Sequence, residues 1–460
     1  MWRKVTISGV AFFWLVVATA SAILNGFETT KDLTEDPNFN CKWSGGTDSR
    51  LECSCLTGNE EFYIKKNSIP ATDLYAINIT NCGKIRFGPN AISDMRNLRI
   101  LELNGIGSLF FEEESLLWTG YTRNKEKIED WDSTIPSLKI YVVGGTIKKI
   151  SSHAIKGRIN RIRFQHVEID EIAPFGFSSL EQNQEIQFDH VNVRELLPQS
   201  FKKFPTEKLV ITNSVFGEIP SRAFYDVLVK HEFLLKNVTI ETLKPSGFII
   251  VNPHIFELRD STIVNFNGEG FKVTTRGNVH VRNNEFFNVG MGAFRNINLN
   301  REEVPGLQLF VLESNTFHKL SRDALVINET SFIPKFSGLR LQENCDCNNE
   351  DKYMKSTHEL NCLVDNEWIS FNDYKNMHCS VLTSKVGVTI IVVIVCSCLL
   401  VIGIIGFVCY FRRLYRCGSY GKEGAEKQGK MSMIVPDGRT YRETELHVIV
   451  ERADLLTTDL

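Results

Sequence analysis

The sequence predicts an exported repeat solenoid that is followed by a single membrane-spanning helix. Apolar residues recur with a period of about 22 to 24 residues through the middle of the chain. Eight cysteines gather at the two ends of that region, and none falls between the two groups. An apolar run without any charge occupies residues 386–411. These observations divide the chain into a leader, a capped repeat region, a membrane span and a tail.

The first residues have the features of a cleaved signal peptide. Arg3 and Lys4 precede an apolar run that ends at Ala18, and the small-x-small pattern Ala20-Ser21-Ala22 follows it. Residues 1–22 are therefore predicted to be removed. Export would place the following cysteines in an oxidising compartment, where disulfides form.

The repeat has six apolar-leaning positions, at offsets 0, 2, 5, 7, 10 and 15 from its first residue. Offsets 0 and 2 alternate as in a short strand, so both side chains fall on one face, and the later positions fold the return segment over it. One unit alone cannot bury this surface, so stacking of units is what makes a continuous core. The clearest copies are Ile162, Phe164, Val167, Ile169, Ile172, Phe177; Ile186, Phe188, Val191, Val193, Leu196, Phe201; and Leu209, Ile211, Ser214, Phe216, Ile219, Phe224.

These offsets resemble the consensus of leucine-rich repeats, L-x-x-L-x-L-x-x-N-x-L with a later Phe. The resemblance covers residues 74–344, about 11 repeats, and implies an α/β-type horseshoe with a parallel β-sheet on its concave face. The consensus asparagine appears only at Asn284, Asn315 and Asn344, and Val or Ser occupies the position in the central turns. A right-handed parallel β-helix also stacks short strands at this period and remains the alternative fold.

The cysteines at the C-terminal end resemble the cap of the same family. Residues 345–384 would form this cap, which begins with the Cys-Asp-Cys sequence. The resemblance implies that Cys345 pairs with Cys362 and that Cys347 pairs with Cys379.

The N-terminal cap, residues 23–73, resembles its family counterpart less closely. Cys41, Cys53 and Cys55 lie inside it, but the fourth cysteine, Cys82, lies within the first repeat. The disulfide pairing at this end therefore stays open, although all four cysteines are expected to form disulfides.

Residues 385–411 are predicted to form one transmembrane helix, because the run exceeds the roughly 20 residues that a helix needs to cross the bilayer. Arg412, Arg413 and Arg416 follow it, whereas only Lys385 precedes it closely. This bias of positive charge predicts a type I plasma-membrane protein with a cytoplasmic tail, residues 412–460, that is mostly disordered.

Two short patterns near the end of the tail suggest cytoplasmic partners. Thr458 and Leu460 resemble the C-terminal ligand of PDZ scaffolds, which adds as a strand to a groove. The second pattern consists of Glu451, Leu455 and Leu456, which resemble an acidic dileucine signal of the kind that endocytic adaptors bind.

The outward positions of the strands are the predicted ligand-binding surface. Offsets 1, 3 and 4 are expected to point away from the core, and this face is polar and of mixed charge. Solenoids commonly bind through such an extended surface. The candidates are Arg163, Gln165, His166, Gln187, Asp189, His190, Thr212 and Asn213.

Three sequons predict N-glycosylation of the exported region, at Asn78, Asn237 and Asn328. Asn78 and Asn237 are expected on the strand face. A glycan on Asn237 would crowd the middle of that face, so we expect binding to favour the turns from Arg163 to Asn213, or the convex side.

No pattern in the sequence predicts catalysis. It has no H-E-x-x-H, G-x-S-x-G or phosphate-cradling glycine loop. His166 and His190 share a column and could approach a metal, but two exposed polar residues are the simpler interpretation. We therefore predict no catalytic residue, metal or cofactor, and the net charge of −3 argues against a nucleic-acid partner.

The predicted function is that of a receptor or adhesion protein that binds an extracellular protein, with the lipid bilayer as its second partner. A structural organiser of extracellular matrix is the first alternative. A membrane-tethered carbohydrate-active β-helix is the second.

Overall fold

A computed structural model describes residues 32–45, 48–56, 60–69, 73–119, 137–343, 345, 360–379 and 385–417. The chain divides into two compact units, Met1–Gly387 and Val388–Leu460. The strands of the first unit are β1 Phe39–Ser44, β2 Arg50–Cys55, β3 Glu61–Ile64, β4 Ala76–Thr80, β5 Lys84–Phe87, β6 Ile100–Phe111, β7 Leu116–Trp118, β8 Leu138–Ile150, β9 Ile155–Gln165, β10 Glu168–Ile172, β11 Phe177–Glu181, β12 Asn183–Asp189, β13 Asn192–Leu196, β14 Phe201–Lys202, β15 Pro205–Thr212, β16 Val215–Ile219, β17 Phe224–Lys236, β18 Thr239–Leu243, β19 Phe248–Val251, β20 Ile255–Arg259, β21 Thr262–Phe266, β22 Phe271–Thr275, β23 Val279–Arg282, β24 Glu285–Val289, β25 Ile297–Leu299, β26 Gln308–Glu313, β27 Thr316–Leu320, β28 Phe332–Ser337, β29 Leu339–Leu341, β30 Leu360–Val364 and β31 Glu367–Ser370.

The first unit is a parallel β-solenoid of about 11 turns, which confirms the predicted repeat architecture. Each central turn contributes a strand to each of three parallel sheets. Sheet A runs through β2, β4, β6, β8, β9, β12, β15, β17, β20, β23, β26 and β28. Sheet B runs through β3, β5, β6, β8, β10, β13, β16, β18, β21, β24, β27, β29 and β30. Sheet C runs through β7, β9, β11, β14, β17, β19, β22 and β25.

The predicted apolar positions form the interior of the solenoid. All eighteen residues of the three clearest copies are buried. Offsets 0 and 2 lie on sheet A, offsets 7 and 10 lie on sheet B, and the Phe at offset 15 begins sheet C. Because the strands of successive turns pair in register, equivalent side chains lie above one another and form continuous apolar columns.

The phenylalanines at offset 15 form one such column. Their rings stack nearly parallel along the solenoid, with adjacent ring centroids 4.4, 4.3, 4.6 and 5.3 Å apart. Face-to-face contact with a lateral offset is favourable for aromatic rings and adds to the burial of apolar area. The column consists of Phe177, Phe201, Phe224, Phe248 and Phe271.

Buried polar residues at offset 5 tie neighbouring turns together. The backbone N–H of Val191 donates to Ser214 Oγ at 3.0 Å. In the same way Ser261 N–H donates to Asn284 Oδ1 at 2.9 Å, and Asn284 N–H donates to Asn315 Oδ1 at 3.0 Å. Serine therefore performs in the central turns the task that the consensus assigns to asparagine, since both side chains supply an acceptor for a buried amide.

Disulfides lie at both ends of the solenoid. Cys41 pairs with Cys53 across the antiparallel strands β1 and β2, and Cys55 pairs with Cys82. These two bonds resolve the pairing that the sequence left open. Strand β2 already pairs in parallel with β4, so sheet A begins at Arg50, inside the segment predicted as the cap.

The C-terminal end has the predicted bond between Cys345 and Cys362. Cys379 is also disulfide-bonded, while Cys347 and Asn344 lie outside the described residues. Strand β30 continues sheet B, and β31 turns back antiparallel to it. A short helix, α1, follows at Phe371–Tyr374 and continues as a π-helical turn over Lys375–Cys379.

Helix α2 spans Lys385–Cys417. Its segment Thr389–Arg413 is 25 residues long and apolar enough to cross a membrane. The apolar side chains described in this segment are exposed.

Candidate binding surface

Strands β9, β12 and β15 bring the predicted ligand-binding residues together on the outer face of sheet A. Gln187 lies beside Arg163 in the register of β9 and β12. Asp189 lies between Gln165 on one side and Thr212 on the other. Neighbouring strands of a sheet are about 4.8 Å apart, so these five side chains form one continuous polar surface.

The remaining three candidates lie at the border of sheet A and not on its face. His166, His190 and Asn213 have φ values of 54°, 54° and 51°, which is the left-handed region. Each is the first of the two residues between a strand of sheet A and the following strand of sheet B, and it is the one of the two with a positive φ. The expectation that offset 4 lies on the strand face is therefore wrong, because the chain turns at this residue from one sheet to the next.

Backbone hydrogen bonds connect these corners from turn to turn. The N–H of His166 donates to Asp189 O at 3.0 Å, and that of His190 donates to Thr212 O at 3.1 Å. Asn213 N–H donates to the carbonyl of Lys236 at 3.0 Å. The corner amides are thus satisfied by backbone alone, which leaves the corner side chains free to project outwards.

The two histidines stack on each other. Their ring centroids are 4.6 Å apart with an interplanar angle of 31°, and His190 Nδ1 lies 3.0 Å from Asp189 Oδ1. The repeat pattern of the sequence placed both histidines in one column, which predicted that their side chains lie close together. In the part of the chain that the structure describes, no group of three or more His, Cys, Asp or Glu side chains is placed to hold a metal.

Asp189 is the centre of the hydrogen bonds on this surface. Its Oδ1 accepts from Thr212 Oγ1 at 2.9 Å and from Asn213 Nδ2 at 2.8 Å, while Gln165 Nε2 lies 3.5 Å from Oδ2. Burial raises the pKa of Asp189, but the hydrogen bonds from Asn213 and Thr212 and the nearby His190 outweigh it and lower the pKa below its usual value.

This lowered pKa predicts a pH-dependent contribution to stability. A carboxylate with a depressed folded-state pKa stabilises the fold above its unfolded pKa of about 3.9, and the contribution is lost as the pH falls through the folded value. We expect Asp189→Asn to lower the urea midpoint at pH 7, and the difference from wild type to shrink below about pH 4. Urea unfolding at several pH values measures it.

Glu195→Gln is the matched control for this experiment. Glu195 is an exposed carboxylate on sheet B with no hydrogen bond or ion pair to the residues that the structure describes. Glu195→Gln should shift the urea midpoint little at pH 7. A gap between Asp189→Asn and wild type that stays constant from pH 7 to about pH 3 would contradict the role assigned to the carboxylate.

Glu185 belongs to the same surface, although offset −1 was not among the predicted outward positions. Its Oε2 lies 3.0 Å from Arg161 Nε and 3.5 Å from Arg163 Nη2. The neighbouring Gln187 Oε1 is buried without a hydrogen-bond partner among the described residues. The alternation of β12 could have identified Glu185, because it lies two residues before Gln187.

Charged residues continue along sheet A beyond the predicted set. Lys236, Arg259 and Arg282 follow Thr212 in register on the next three strands. Burial and, after it, the charge of Arg282 lower the pKa of His280, so this imidazole stays neutral at physiological pH.

The three predicted glycosylation sites differ in accessibility. Asn78 lies in β4 on sheet A, half-buried, and its Oδ1 accepts from Asn104 Nδ2 at 3.1 Å. Asn237 is an exposed corner residue with φ 52°, so its predicted place on the strand face is corrected to the border of the sheet. Asn328 lies in a turn, and its Nδ2 donates to Asn298 Oδ1 at 2.7 Å.

The tail motifs, at Thr458 and Leu460 and at Glu451, Leu455 and Leu456, lie outside the described residues, as does the signal peptide. No protein-family model matches the chain, and no curated protein sequence shows a significant match to it.

Proposed function

We propose that this protein is a cell-surface receptor or adhesion molecule that binds an extracellular protein through sheet A. The observation that carries the proposal is the continuous polar surface on β9, β12 and β15, with the histidine pair at its border. A flat and rigid surface that mixes both charges with amides, hydroxyls and imidazoles offers many hydrogen-bonding groups to a protein partner. The ion pairs on this surface, such as Arg163 with Glu185, are exposed enough to exchange partners on binding.

The fold of the turns favours the parallel β-helix over the leucine-rich horseshoe. Between residues 137 and 343 the regular elements of the described chain are strands, and sheets B and C occupy the return segments. An α/β horseshoe would place helices or irregular chain in those segments. We therefore propose a three-sheeted β-helix that carries a leucine-rich-like pattern in its interior.

Membrane anchorage and orientation complete the proposal. The 25-residue segment of α2 supplies the anchor, and the arginines after it favour a type I protein at the plasma membrane with the solenoid outside. The disulfides at both ends of the solenoid are compatible with an oxidising exterior. We propose that Asn237 carries a glycan, because it is an exposed sequon.

The binding surface can be tested by site-specific crosslinking on living cells. A photo-reactive amino acid replaces His190, whose side chain is half-exposed, in the full-length chain. The matched control places the same residue at Lys272, which is exposed on sheet C. We expect an extracellular protein to be captured at position 190 and not at position 272. Equal capture at both positions would remove the assignment to sheet A.

Orientation needs a separate measurement. An epitope inserted after residue 22 and one added after Leu460 should be stained on intact cells and on permeabilised cells respectively. The reverse pattern would contradict the type I arrangement.

The tail is proposed to recruit a PDZ scaffold and an endocytic adaptor. Removal of Thr458–Leu460 should change localisation at cell contacts, while Leu455→Ala with Leu456→Ala should slow internalisation. A chain that keeps its distribution and its internalisation rate after both changes has a passive tail, as a structural component of the matrix would.

A further inference from the structure

Helix α2 does not end where the apolar segment ends. The candidate span finishes at Arg413, but the helix continues through Cys417. This last turn is a rigid extension of the span, so helix geometry fixes the direction of its residues relative to those in the membrane.

Two arginines with described side chains, Arg412 and Arg413, occupy adjacent positions at this end. At 100° per residue they fall within about 100° of arc around the axis. Cys409 precedes them by three and four residues and lies on the same face. Phe407 and Phe411 lie on the other side of the helix, with ring centroids 4.5 Å apart.

No acidic side chain balances these arginines within the helix. The segment Lys385–Cys417 contains neither Asp nor Glu. The described side chains of Arg412 and Arg413 are exposed. A guanidinium binds phosphate oxygens with two parallel hydrogen bonds, and residues at the end of a membrane-spanning apolar segment come level with the lipid headgroups.

We propose that this arginine face binds anionic phospholipid headgroups and selects them over zwitterionic ones. The aromatic side chains opposite it sit in the interfacial layer and hold the helix at a fixed rotation, so that the arginines face one cluster of lipids. The inference rests on the membrane anchorage of the proposed function, and it does not depend on the extracellular ligand or on which side of the membrane the tail lies.

The test uses the full-length chain in nanodiscs of phosphatidylcholine with a minor fraction of phosphatidylserine. Native mass spectrometry measures the ratio of the two lipids that stay bound after release. We expect the wild type to enrich phosphatidylserine over phosphatidylcholine. The double variant Arg412→Gln with Arg413→Gln should lose about fivefold of this enrichment for each arginine replaced. The enrichment should also fall as the salt concentration rises.

Three variants separate the arginine face from net charge and from folding. Lys385→Gln changes one charge at the other end of the helix and should keep the enrichment. Phe411→Arg with Arg412→Phe conserves composition but moves one charge to the opposite side, and should reduce it. Arg412→Lys with Arg413→Lys keeps the charge but not the bidentate geometry, and should give an intermediate value.

Two results would overturn the inference. One is equal lipid ratios in the wild type and in the double glutamine variant. The other is complete displacement of phosphatidylserine by excess inorganic phosphate, which would assign the face to free anions. Failure of the chain to enter pure phosphatidylcholine discs would instead refute the membrane anchorage itself.

Discussion

Phe201→Ala is expected to lower the free energy of unfolding by about 4 kcal/mol, the range typical of a large aromatic removed from a core. Phe201 is 1% exposed and stacks between Phe177 and Phe224 at 4.4 and 4.3 Å. Its loss leaves a cavity in the middle of the column and removes both stacking contacts together with the edge contact to Phe188. Urea unfolding followed by circular dichroism measures the change.

Phe287→Ala is the matched control, because this Phe lies on the outer face of β24 and is only half-buried. Its ring stacks on His318 alone in sheet B, with centroids 4.0 Å apart. We expect Phe287→Ala to lower the free energy of unfolding by about 1 kcal/mol, because folding buries little apolar area at this position. Equal losses from both variants would mean that the interior column does not stabilise the solenoid more than a surface ring does.

Gly157→Ala is expected to destabilise the turn around β7 and β9 by several kcal/mol, or to prevent folding. Gly157 has a φ of +100°, a conformation that side chains rarely adopt. A Cβ there would lie 2.1 Å from the carbonyl oxygen of Trp118 in the preceding turn. Because the obstacle is backbone in a paired strand, no rotamer change relieves the collision.

Expression yield and the melting temperature of the purified chain measure this effect. Gly306→Ala is the control, because a Cβ at Gly306 meets nothing within 4 Å among the described atoms and its φ is not in the left-handed region. It should change stability by less than about 0.5 kcal/mol, as ordinary surface changes do. A Gly157→Ala chain as stable as the control would show that these two strands pack more loosely than described.

The interior of the solenoid could be predicted from the sequence because burial imposes a period. Ile162, Ile186 and Leu209 occupy the same position in successive repeats, and this spacing predicted that they are buried, as they are. Sheet C could not be predicted in the same way. Strand β14 is two residues long, and so short a segment has no alternation that a pattern could reveal.

Five of the eight predicted outward residues lie on the face of sheet A, three lie at its border, and Glu185 was missed. Offset 4 holds Asn213, Asn237, Asp260 and Asn283, residue types that tolerate a positive φ, so the corner had a signal in the sequence. The strand alternation was extended one position too far, through His166 and His190, although histidine is also enriched at positive φ. The pairing of Cys55 with Cys82 was unpredictable from spacing, since four cysteines allow three connectivities.

The corners at offset 4 constrain the backbone of their residue more tightly than its side chain. Their amides bond to the carbonyl of the next turn whatever the residue is, and His, Asn, Asp and Ser all occur in the column. Exchanges among residue types that tolerate a positive φ can accumulate there one at a time at little cost in folding, whereas β-branched residues would be strained. Under the proposed function, this edge is therefore a place where the specificity of binding can change while the scaffold stays the same.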